Sequence, residues 1–234
     1  MKSILRNRGL VIAFAVLASV SLASAGTISQ TQTFGGTPNL SQAMTFNEFD
    51  DQGGSLILMS VFVSMDLDVD GGLLILDNDG EFAASGNYEF GAKADISSVD
   101  VSLLDNTFQP VLPELTGLTT GAFALDPNDG DILGDFSPLG GDALTVTGSL
   151  QSDSASGFIA NLMLTQFIGT STFDIVGDAV QWSDFGGVSG IEWAVTPVTA
   201  NGSVTVVYNY EVPEPATMSL LAFGGIAALI RRRK

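Results

Sequence analysis

Three features of this sequence predict an all-β chain, a β-sandwich of jelly-roll-like kind. From Met59 to Val69 the apolar residues Met59, Val61, Val63, Met65, Leu67 and Val69 alternate with Ser60, Phe62, Ser64, Asp66 and Asp68, the period-two signature of a strand with one buried face. Shorter alternations recur at Leu144/Val146/Leu150 and at Val204/Val206/Tyr208/Tyr210. Between them lie turn clusters, D-N-D-G at Asp77–Gly80, D-P-N-D-G-D at Asp126–Asp131 and S-P-L-G-G-D at Ser137–Asp142. Helical periodicity is nearly absent between residues 26 and 211, and many short strands with Gly- and Asp-rich turns make a sandwich rather than a bundle.

In order along the chain, Met1–Ala25 has the build of a secretory signal peptide. M-K-S-I-L-R-N-R is basic, Gly9–Leu22 is apolar, and Ala23-Ser24-Ala25 offers an A-x-A cleavage site to the Sec export machinery. Gly26–Asn47 is rich in Thr, Ser and Gln, with Phe34 and Phe46 as apolar points, which suits edge strands with a polar face. After the Met59–Val69 strand, Gly71-Gly72 forms a turn, and Leu73–Leu76 before Asp77–Gly80 suggests that the strand folds back as a hairpin. F-I-A-N-L-M at Phe158–Met163 reads equally well as a short helix or a strand. Three segments result: 1–25 for export, a single domain at 26–211, and a C-terminal element at 212–234.

That element runs V-P-E-P, then the uncharged stretch Ala216–Ile230, then Arg231, Arg232, Arg233 and Lys234. As a helix the uncharged stretch would be about 22 Å long, short of a hydrocarbon core of about 30 Å, and Gly224-Gly225 weakens it further. It is expected to act as a short transmembrane helix that holds the chain for a time, with the basic cluster kept on the cytoplasmic side. These residues resemble the PEP-CTERM sorting signal of exopolysaccharide-producing Gram-negative bacteria, with Pro213, Glu214 and Pro215 as its signature. The resemblance implies that an exosortase, a membrane-embedded cysteine transpeptidase, cuts near the signature and passes the protein on, to the cell envelope or beyond.

A second resemblance covers the domain. Thr31–Asp50, Gly54–Leu56, F-I-G-T-S-T-F-D-I at Phe167–Ile175 and N-G-S-V-T-V-V-Y-N-Y at Asn201–Tyr210 are similar to segments of the choice-of-anchor E domain. It implies one extracellular domain joined to varied C-terminal anchors, with no established enzymatic activity.

Charge and composition narrow the chemistry. The 8 basic residues sit at the two ends except for Lys93, while all 26 acidic residues but Glu214 lie between Glu48 and Glu211. Such a field repels nucleic acid and anionic lipid and favours divalent cations. With neither cysteine nor histidine, no disulfide, no Ser-His-Asp or Cys-His nucleophile and no His- or Cys-ligated zinc site can form. Cofactors other than calcium are not expected. For calcium, Asp66, Asp68, Asp70 and Gly71 fall at positions 1, 3, 5 and 6 of an EF-hand loop, but position 12 is Asp77 instead of Glu, and strands flank the loop. A solvated acidic strand face explains the same spacing. Asp126, Asn128, Asp129 and Asp131 form a second acidic turn.

Three roles follow: a structural or adhesive component of the cell surface or the biofilm matrix, a carbohydrate-binding module for exopolysaccharide that would need several of Trp182, Trp193, Tyr88, Tyr208 and Tyr210 exposed together to stack sugars, or a carboxylate glycosidase using a pair such as Glu48 and Asp50. The first is favoured, and the protein is expected not to be an enzyme.

Overall fold

Strand-forming alternation and turn-forming glycines give eleven strands and one 3-10 helix in a computed structural model that describes residues 24–130 and 140–213. The signal peptide up to Ala23 and the segment from Glu214 to Lys234 lie outside the described residues. Ala25–Pro213 forms one compact unit.

Eight strands build two facing four-stranded sheets. The first runs β1 (Ser24–Gly36), β11 (Thr199–Val212), β3 (Ile57–Asp70), β8 (Gln151–Phe158), and the second runs β2 (Leu40–Asn47), β9 (Thr172–Asp184), β5 (Ala84–Ser97), β6 (Leu115–Leu125). Along the chain the strands cross from sheet to sheet except at the β5–β6 hairpin, which is the strand order of a jelly roll. The remaining three, β4 (Leu73–Asn78), β7 (Ala143–Thr147) and β10 (Ile191–Val195), pair antiparallel in the order β10-β4-β7. Each is an insertion in a connection at one end of the sandwich, so together they form a small sheet at that end.

The expected hairpin between β3 and β4 therefore does not form. Gly71 and Gly72, both at positive φ, turn the chain out of the first sheet and into the small one. The period-two reading of β3 holds with one exception. Val61, Val63, Met65, Leu67 and Val69 are buried, whereas Met59 is 48% exposed. A bulge opposite Asn209/Tyr210 shifts the register there and turns Leu58 inward instead. Asn161–Phe167 is the 3-10 helix, and Phe158 ends β8.

The core joins both sheets. Val204, Val206 and Tyr208 of β11 lie beside the β3 row. Phe46 stacks on Phe173, and Phe167 meets Phe173 edge-on. Tyr208 is fully buried, its hydroxyl donates to the Asn47 carbonyl at 2.8 Å, and burial followed by the Glu48 carboxylate raises its pKa. The polar edge strands sit where the composition places them, β1 and β2 at matching edges of the two sheets. Glutamines stitch these edges together: Gln30 bonds the Asn47 backbone in both directions, Gln32 donates to the Thr45 carbonyl, and Gln42 both donates to the Thr33 carbonyl and accepts from Gly35 N–H. The opposite edge is closed by Asp153, which accepts from Thr116 N–H on β6. Several edge backbone groups that could pair with another chain are thus occupied by side chains.

Phe34, from edge strand β1, reaches the core only because Gly177 of β9 and Gly202 of β11 have no side chains. A Cβ on either would collide with its ring. Gly202→Ala is expected to destabilise the domain by about 1–3 kcal/mol through overpacking, read by chemical denaturation, and Phe34→Leu in the same chain should restore part of that loss.

Candidate functional site

The outward residues of β3 give the surface its character. Asp66, Asp68 and Asp70 alternate with the buried row and are exposed. Each of the first two is flanked by polar side chains on both neighbouring strands: Asp66 lies opposite Ser203 and Ser154, Asp68 opposite Asn201 and Ser152. Ser152 Oγ donates to Asp68, and Ser203 Oγ donates to Asp66 at 3.4 Å. A shallow groove of about 480 Å³ runs here, lined by Asp66, Asp68, Asn201 and Ser203 together with Thr33 and Gln42. The Cα atoms of Asp66, Asp68 and Asp70 are about 6.6 Å apart along the strand, so the three carboxylates are spread along one face.

Asp77, the fourth residue of the calcium pattern, is buried on β4 of the small sheet. The structure therefore does not gather Asp66, Asp68, Asp70 and Asp77, because Gly71-Gly72 sends the chain to another sheet. Among the described residues no three acidic side chains are placed to hold a metal ion.

The turn clusters instead form a polar knot that sequence reasoning missed. Asn78, almost fully buried, donates from Nδ2 to the carbonyls of Phe82 and Asp126, and its Oδ1 accepts from Gly80 N–H. Its own N–H donates to the Asp142 carbonyl. Asp142, also buried, accepts from Asp129 N–H at 2.7 Å, and Asn128 N–H donates to the Gly80 carbonyl. Asp126, Asn128 and Asp129 thus serve the loops of this end; Asp131 lies outside the described residues.

The outer face of the second sheet holds the lone internal lysine. Lys93 Nζ stands 3.5 Å from the ring centroid of Trp182 and 3.9 Å from Glu114. Trp182 Nε1 donates to Glu89 at 2.7 Å, beside a second groove of about 440 Å³ lined by Asn87, Tyr88, Thr120 and Asp184. Trp193 instead packs on Phe185, with ring centroids 5.0 Å apart. The two tryptophans engage different partners, and one ring face of Trp182 is covered by a cation, so they do not form a shared sugar platform. Glu48 and Asp50 are each tied to a loop backbone, accepting from Ser171 N–H and Gln52 N–H.

Of the remaining sequence-predicted positions, Ala25 lies in β1 and Pro213 directly follows β11. Ala23, Glu214, Pro215, Arg231, Arg232 and Arg233 lie outside the described residues. Among the described residues no helix is long and apolar enough to cross a membrane.

Comparison with known proteins identifies residues 211–234 as a PEP-CTERM protein-sorting motif, the mark of exported proteins that an exosortase processes for the cell surface. No curated protein matches the chain. Among solved structures, the infectious bursal disease virus Gx strain matches at 12% identity over 89% of this chain and 47% of that one, with a TM-score of 0.19. The VP2 subviral particle of that virus matches at 11% identity over 95% of this chain and 53% of the other, with a TM-score of 0.14. The chain spans about half the length of both.

Two measurements test the acidic faces. Asp95 lies opposite Asp178 on the second sheet. Although it reaches solvent, partial desolvation, then Asp178 and Glu114, raise its pKa. Its ionisation therefore costs stability: the favourable contribution is complete below the unfolded value of about 3.9 and is lost as pH rises through the folded pKa. Asp95→Asn should raise the Tm at pH 7, and the gain should vanish below that value. For calcium, Asp68→Asn with Asp70→Asn and a separate Asp129→Asn should reduce the calcium-dependent rise in Tm alike, as screening of a diffuse charge predicts; a loss confined to the first variant would show a true site on β3.

Proposed function

We propose that this chain is a non-enzymatic structural or adhesive protein of the cell surface or extracellular matrix, exported by the Sec route and released or transferred by an exosortase. The observation that carries the reading is the PEP-CTERM motif at 211–234, which begins within the last described strand of an acidic sandwich. Its carboxylates sit in solvated rows or loop-fixing hydrogen bonds, an arrangement suited to solubility and cohesion rather than to general acid–base work. The domain is taken to be of the choice-of-anchor E type, on its similar segments at Thr31–Asp50 and Asn201–Tyr210, which correspond to parts of β1, β2 and β11. Exopolysaccharide is the expected neighbour. The segment Ala216–Ile230 is taken to hold the precursor in the inner membrane until it is cut.

Moving one arginine to the bilayer centre costs about 2.5–3.5 kcal/mol on insertion scales, so Arg231 to Lys234 act together as a stop. In an exosortase-containing host, deletion of residues 231–234 should lead to leakage outward or degradation. Glu214→Ala should leave a full-length, membrane-held precursor, because the stop is intact and only the recognition element is altered. Fractionation with an antibody to the domain distinguishes the two, and normal maturation of both variants would overturn the sorting reading.

A further inference from the structure

Both segments with a membrane-directed role leave the sandwich at the same end. Thr27 Oγ1 donates to Asn209 and Thr31 pairs with Thr205, so β1 begins where β11 finishes. This end is also where β3 begins, β8 finishes, and the connections 98–114 and 159–171 lie. It carries a ring of exposed apolar side chains: Ile57 and Met59 at 48%, Phe158 at 54%, Phe108 at 55%, Leu162 at 76% and Val99 at 99% exposure. Exposed apolar groups scattered singly need no explanation, but a cluster at one end does.

Phe108 is presented under constraint. Its φ is +60°, a left-handed conformation that bulky side chains rarely adopt. The turn is imposed by Asp105, whose Oδ1 accepts from Thr107 Oγ1, Thr107 N–H and Gln109 N–H, while the Asp105 carbonyl accepts from Phe108 N–H. The hydrogen bonds from Thr107 and Gln109 hold the Asp105 carboxyl below its ordinary pKa. This turn is tied to the 3-10 segment, since Asn161 N–H donates to Asn106 and Ala160 N–H to the Leu104 carbonyl. Phe108 and Leu162 are thus projected from two joined elements. Strain held in place by a surrounding network is more often found at sites of use than elsewhere.

We propose that this end of the sandwich is a docking face for a zwitterionic phospholipid surface, engaged while the chain is tethered by its C-terminal segment. The inference rests on the sorting reading above. Between Val212, where β11 ends, and Ala216 the extended chain reaches only about 14 Å, and a headgroup layer takes up about 5–8 Å. A tether that short keeps the apolar ring at the headgroup level, where Phe and Leu side chains partition favourably. Charge sets the lipid class. Glu48, Asp50 and Asp51 on the connection 48–56 and Asp100 and Asp105 on 98–114 lie at this end, and neither connection carries a basic residue, so anionic lipid is disfavoured.

The absence of cysteine makes a direct test possible. Full chains carrying Phe108→Cys, Leu162→Cys or, at the far end, the 81% exposed Phe82→Cys are labelled with an environment-sensitive fluorophore. They are then reconstituted into phosphatidylcholine vesicles and checked by flotation. The expected result is a blue-shifted emission at 108 and 162 that brominated phosphatidylcholine quenches, a water-like signal at 82, and a weaker shift when phosphatidylglycerol is added. Flotation with water-like emission at both 108 and 162 overturns the docking face alone. A shift that depends on protein concentration and not on brominated lipid assigns the face to a second copy and likewise overturns it. Chains that fail to float overturn the sorting reading beneath it.

Discussion

The pairing of β3 with β11 sets Val61, Val63, Met65, Leu67 and Val69 beside Val204, Val206 and Tyr208, all buried, and the rest of the molecule hangs on that apolar floor. Nothing else is available to do the same work. The chain has no cysteine, and among the described residues a single ion pair, Lys93 with Glu114 at 3.9 Å, joins opposite charges. A partly exposed pair of that length adds little. Burial must therefore offset both chain entropy and the mutual repulsion of a strongly acidic surface. The glycines opposite Phe34 follow from this demand, because they let the sheets approach closely enough for an edge-strand phenylalanine to join the floor.

Repulsion is handled by dispersal. Along β3 the carboxylates are a two-residue step apart and separated across strands by Ser152, Ser154, Asn201 and Ser203. On the second sheet, partial desolvation and then the facing Asp178 raise the pKa of Asp95. The internal lysine is placed on that same sheet, within reach of Glu114 and over the Trp182 ring, so the one available cation relieves the more crowded face.

How far the sequence revealed this depends on what each strand is made of. β3 and β11 were legible because β-branched and large apolar residues alternate with polar ones. The polar edge strands were legible from their Thr, Ser and Gln content. β5 and β6 were not, since their inward positions include Ala92, Ala94 and Gly117, whose small side chains give almost no hydrophobic signal. The fate of β4 was also hidden: Gly71-Gly72 permits a hairpin and a change of sheet equally, and only the long-range partners Ile191–Val195 and Ala143–Thr147 decide between them. Likewise, an Asp-x-Asp-x-Asp run in a loop wraps a cation, while in a strand it fans three carboxylates along a face. The polar knot around Asn78 joins residues tens of positions apart, and no local pattern announces it.

Chain order adds a constraint that composition does not show. β11 is the last strand made, yet it lies between β1 and β3. The first sheet cannot be completed until residues through Val212 are available, so until then β1 lacks its sheet partner and has its glutamine contacts to β2 and the packing of Phe34 beside β9. Long-range closure of this kind is slow, and an incomplete sheet exposes unpaired edges. The sorting motif begins inside this strand: Glu211 and Val212 belong to both. Pro213, lacking an N–H, then ends the ladder that β11 would otherwise continue.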